Sequence, residues 1–97
     1  YGLSPENPIQ VGGSFFDGPD REHIYLNVLR GPNGESISFV RLGSKNAPNS
    51  FVTLDEYEVT ITSTGETFIV YIDMYFYRKP YAPLGLSCGG NMPLKAP

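Results

Sequence analysis

His23, the one histidine of the 97-residue chain, stands three positions after Asp20 and ahead of Arg30. An imidazole held next to a carboxylate can serve as a general acid or base near neutral pH. A small hydrolase-type enzyme using His23 with a nearby carboxylate is therefore one expectation, although a solvated helix face accounts for the same residues. Nucleophilic catalysis needs a side chain activated by an adjacent base, and no spacing signature for one is present. Cys88 is alone, which excludes an internal disulfide and a multi-cysteine metal site. In "LSCGG" it reads as an exposed thiol in a loose tail. "RGPNGE" has glycines but lacks the Lys and Ser or Thr of a phosphate loop, so it reads as a helix stop followed by a turn. One His, one Cys and scattered carboxylates make a poor zinc set, and the Asp and Glu spacing does not fit a calcium loop. No cofactor or metal is expected.

The second candidate is aromatic. In "IVYIDMYFYRKPYAP", residues 69–83, Val70, Ile72, Met74 and Phe76 point one way at strand periodicity. Ile69, Tyr71, Asp73, Tyr75 and Tyr77 point the other way. Tyrosine offers a large rigid area with a polar tip at low entropic cost. Tyr71, Asp73, Tyr75 and Tyr77, with Tyr81 beyond them, are accordingly a candidate platform for a protein or a glycan. The competing expectation is a pleated surface partly covered by the N-terminal segment around Pro5, Pro8 and Ile9, with Tyr77 and Tyr81 more exposed than Tyr71.

These side chains need elements to carry them. "EYEVTIT" alternates Tyr57, Val59 and Ile61 against Glu56, Glu58, Thr60 and Thr62, and "STGE" turns it into "TFIVYID". A hairpin with Thr64 and Gly65 at its tip sets Ile61 opposite Phe68, Val59 opposite Val70 and Tyr57 opposite Ile72. "SISFVRL" predicts a further strand with Ile37 and Phe39 on one face, and 43–50 reads as an irregular loop. Ile9 to Val11 predict a short edge strand. In "DGPDREHIYLNVLRGPNGE", Asp17 or Gly18 as N-cap, Pro19 at the first helical position and Gly31 with Pro32 as a stop predict a helix over 19–30. Its expected apolar face is Ile24, Tyr25, Val28 and Leu29, with Leu26 at the edge and Asp20, His23, Asn27 and Arg30 opposite.

The whole predicts an α+β domain over 1–86, one helix packed on a three- or four-stranded antiparallel sheet, with 87–97 as a mobile tail. Hydrophobic residues at 40% and aromatics at 13% suit a folded chain of this length. Seven Lys and Arg, spread along a chain of net charge −3 with only Arg78 and Lys79 adjacent, lack the footprint of a nucleic-acid binder. No apolar run approaches the roughly 20 residues that span a bilayer. The chain begins at Tyr1 rather than Met, so an export signal, with room for a lipid anchor, is expected to have been removed ahead of it.

"YGLSPENPIQVGG", "LNVLRGPNGESISFVRLGS", the "VYIDMYFY" strand and "APLGL" together resemble a family of small bacterial envelope lipoproteins, over roughly residues 1 to 86. The chain has "KNAPN" where that family carries a cysteine pair after "RLGS". Members often bear the label of a 2-dehydro-3-deoxyphosphooctonate aldolase, a chemistry built on a barrel of about 250 residues, for which this chain is too short. The resemblance implies an exported envelope domain, in the periplasm, at the outer membrane or on the cell surface. It brings no active-site residues with it. The leading expectation is a non-enzymatic domain contacting a protein or glycan of the envelope.

Overall fold

The strongest periodic signal forms the middle of the sheet. In a computed structural model that describes residues 1–48 and 50–97, β4 (Thr53–Ile61) and β5 (Thr67–Asp73) form an antiparallel hairpin. Tyr57 faces Val70 and Val59 faces Phe68, two residues away from the expected register. The turn explains the shift. Ile61 N–H bonds to Glu66 O at 2.9 Å and Gly65 N–H returns to Ile61 O at 2.8 Å, so the loop is 62–65, one position earlier than expected. Gly65 takes φ +76 there, a backbone conformation open to glycine. A shift of two preserves which side each residue faces, and Tyr57, Val59, Ile61, Val70 and Ile72 are all buried together.

On the other flank of β4, β3 (Ile37–Asn46) pairs antiparallel, while β1 (Ile9–Gln10) adds to β5 in parallel. The order is β1-β5-β4-β3. β3 runs further than expected: a bulge between Arg41 and Gly43 absorbs one residue, and pairing resumes through Asn46, inside the stretch read as loop. The arrangement is α+β, one helix on a sheet whose three long strands are antiparallel.

The helix, α1, spans Ser14–Val28 rather than 19–30. Gly13 precedes it at φ +98 with no side-chain cap. The Ser14 N–H instead donates to Met74 O at 2.7 Å, so a tertiary bond satisfies a donor that a cap would ordinarily take. Pro19 therefore sits inside the helix, where its ring removes one rung of the ladder. Burial runs along Gly18, Glu22, Tyr25, Leu26 and Leu29, spaced four, three, one and three apart as one helical face requires. Ile24, expected inside, is 41% exposed, and Val28 is half-buried. The end differs too: Leu29–Arg30 leave the helix as β2 and pair with β6 (Ser87–Cys88). Arg30 nonetheless closes the helix, its Nη1 donating to Asn27 O at 2.8 Å and Leu29 O at 2.7 Å.

The segment 87–97 adds more than β6. Leu94 belongs to the core, and Arg21 ties the segment to α1 through Nη2 on Lys95 O while its Nε donates to Val11 O at 2.7 Å. The packed unit thus extends past residue 86. Cys88, expected exposed, is half-buried in β6, and burial pushes its thiol pKa up.

Candidate functional site

The two faces of the sheet separate two clusters. On the face away from α1, Leu54 of β4 is fully buried although it lies outside the main core. It floors a groove of about 370 Å³ walled by Pro5, Glu6 and Pro8 of the N-terminal segment, by Ala47, Pro48, Ser50 and Val52, and by Phe76. Gln10 and Asp73 also line it. Val52 and Phe76 continue into a second hollow of about 380 Å³ with Phe51, Thr53 and Tyr75. Phe51 is fully exposed and Phe76 is 58% exposed. The expectation that Phe76 would pack inward fails because β5 stops at Asp73. The Asp73 carboxylate ends the strand by accepting Tyr75 N–H at 2.7 Å and Phe76 N–H at 3.3 Å on Oδ1. Gln10 Nε2 donates to its Oδ2 at 3.3 Å. Strand alternation therefore ends before it reaches Phe76, and the ring turns outward.

The five residues read as one platform are divided by the fold. Asp73 and Tyr75 meet around the groove and its extension. Tyr71 is half-buried on β5, its N–H held by Gly2 O at 2.9 Å; burial and then the neighbouring Glu56 raise its phenol pKa. Tyr77 packs under the Arg21 guanidinium, 5.8 Å from the ring centroid, and its hydroxyl reaches Leu94 O at 3.5 Å. Tyr81 is 56% exposed and stacks on Tyr1, ring centroids 3.9 Å apart at 14°. Its carbonyl accepts the buried Tyr25 hydroxyl at 2.7 Å. The N-terminal segment thus covers part of the tyrosine strand, and Tyr81 stands out further than Tyr71.

On the helix side, His23 is exposed. Its ring lies 5.8 Å from the Phe39 centroid and 6.4 Å from that of Tyr57, and it makes no hydrogen bond or ion pair among the described residues. The carboxylate beside it in sequence turns inward instead. Glu22 is 1% exposed and accepts the Tyr57 hydroxyl at 3.0 Å. Asp55 stands on the same face of β4 as Tyr57, and Arg41 of β3 grips it with Nη2 at 2.9 Å and Nε at 3.3 Å. Ser44 shares Arg41 Nη2 at 2.8 Å. Burial first and Asp55 second raise the Glu22 pKa to about 9, against the Tyr57 bond and the Arg41 charge. The signal for Glu22 is its spacing: it falls between Gly18 and Leu26 on the buried stripe of α1.

No group of three or more His, Cys, Asp or Glu side chains among the described residues could hold a metal. No helix among them is long and apolar enough to cross a membrane. No protein family, curated protein or solved structure matches this chain.

Proposed function

We propose that this chain is a non-enzymatic binding domain of the bacterial cell envelope, exported and open to lipid tethering, whose groove on the outer sheet face holds a segment of a glycan or a protein. The observation that carries the reading is the groove itself. A carboxylate and an amide that hydrogen-bond each other line it, and the exposed ring of Phe76 stands between it and the adjoining hollow that holds Phe51. Recognition sites combine apolar and aromatic walls with a few oriented polar groups in this way. A sugar face can lie on Phe76 while its hydroxyls meet Gln10 and Asp73, and an extended peptide can follow the same floor. The resemblance to envelope lipoproteins supports the compartment.

Titration of the isotope-labelled domain with soluble peptidoglycan fragments, and separately with peptides from envelope proteins, tests the site by amide shifts. Perturbations centred on Asp73, Tyr75 and Phe76, weakened at least tenfold in Kd by Phe76→Ala, support it. Saturable binding whose shifts map elsewhere, or binding that Phe76→Ala leaves intact, removes the groove from the account.

A further inference from the structure

Glu22 presents its two oxygens to different surroundings. Oε1 receives the Tyr57 hydroxyl at 3.0 Å, whereas Oε2 is buried with no protein donor turned towards it. The acid beside it is Asp55, which stands on the same face of β4 as Tyr57 and, after burial, helps raise the Glu22 pKa. Ionised carboxylates carry acceptors only. Two of them in contact bond to one another only when a proton lies between them, as in carboxyl pairs that ionise one at a time.

The surroundings decide which oxygen keeps that proton. Asp55 has the Arg41 guanidinium on Oδ1 at 2.9 Å and a side chain 16% exposed. Glu22 is 1% exposed and has no ion-pair partner among the described residues. The other elements packed on this point supply no alternative cation. β5 turns Phe68, Val70 and Ile72 towards the core, Arg21 is committed to Val11 O and Lys95 O, and His23 lies outside over Phe39.

We infer that Glu22 and Asp55 form a one-proton carboxyl pair, with the Glu22 carboxylic acid donating from Oε2 to the Asp55 carboxylate, that fastens α1 to β4 and lets go when the proton is withdrawn. The fastening crosses three elements in sequence, from α1 through β4 to Arg41 on β3. It is a base-sensitive latch: removing the proton leaves two negative charges in contact, one of them buried. Because Ser14 N–H holds Met74 O, loosening α1 also loosens the chain that leads to Phe76.

Carbon-13 NMR of the side-chain carboxyls, with Glu22 assigned through bonds from its own amide in the unaltered protein, tests the pair. The expected result is a Glu22 carboxyl still protonated at neutral pH while the other glutamates are ionised, moving only above about pH 8. In Asp55→Asn the Glu22 midpoint should fall, since the adjacent negative charge is gone. A Glu22 carboxyl in the unaltered protein that titrates with the exposed glutamates overturns the inference, and so does an unchanged midpoint in a folded Asp55→Asn variant. The first measurement needs no variant, and a Glu22 carboxyl that titrates normally there overturns the inference even if Asp55→Asn does not fold.

Discussion

The Tyr57 hydroxyl donates to Glu22 Oε1 at 3.0 Å, a buried hydrogen bond that joins the middle of the sheet to the middle of the helix. Replacing Glu22 by Gln keeps an acceptor for Tyr57 and supplies an N–H for Asp55, without a titrating proton. The Glu22 pKa is raised from 4.5 to about 9 in the folded chain. The native state therefore holds a proton that the unfolded state has released, and stability falls as pH rises through that window. The slope approaches about 1.4 kcal/mol per pH unit. Glu22→Gln should flatten it between neutral pH and the upper end of the window and be the more stable protein there. Urea unfolding of both proteins across that range is the check, and parallel curves would contradict it.

Val70 and Ile72 are fully buried between α1 and the rest of the core. Truncating either to Ala should cost roughly 1 to 4 kcal/mol, Val70 at the lower end. Chemical denaturation measures the loss, and values near zero at both positions would mean that the sheet face had been assigned backwards.

Gly18 lies against Met74, where an added Cβ would meet Met74 Cβ at 2.7 Å and Sδ at 2.6 Å. Helix propensity alone favours Gly18→Ala by about 1 kcal/mol. The contact reverses the sign, because the Met74 Cβ is fixed by its own backbone and cannot swing aside as the sulfur can. Gly18→Ala should lower the melting temperature; a rise would show that the helix and the chain at 74 separate without cost.

His23→Ala should leave stability within about 0.5 kcal/mol of the parent, since the ring is exposed and makes no hydrogen bond. A larger loss in a denaturation curve would give the Phe39 and Tyr57 contacts a structural role. An enzymatic activity abolished by this substitution would make His23 catalytic and displace the binding-domain reading.

Periodicity made the hairpin faces legible, because alternation survives a register shift of two: Val59 and Val70 are inside whichever partner each has. The helix was legible as a helix but not in its limits. Pro19 looked like a first helical residue, yet the actual start depends on Met74 O, and the end depends on Ser87 and Cys88 claiming Leu29 and Arg30. Such partners lie far along the chain and leave no local trace. The Glu22–Asp55 pair was hidden for a related reason: a lone glutamate is usually solvated, and nothing near it in sequence announces the acid that faces it. The groove was visible only in part. Asp73 and Tyr75 carried a signal, and Pro5 and Pro8 one as cover for that face, whereas Phe51 carried none.

The parallel pairing of β1 with β5 also orders events in time. Ile9 and Val11, fully buried, take their partners from Ile72, Asp73 and Tyr77, and Leu94 completes the same core. A chain that leaves a ribosome or a translocation channel N-terminus first must carry Ile9 and Val11 unpaired until the segment 72–77 has emerged. Closure then spans about two thirds of the chain, which places folding in the slower, non-local regime of roughly milliseconds to seconds. During that interval Ile9 and Val11 are open to a holding chaperone, and the molecule is a late folder by construction of its topology.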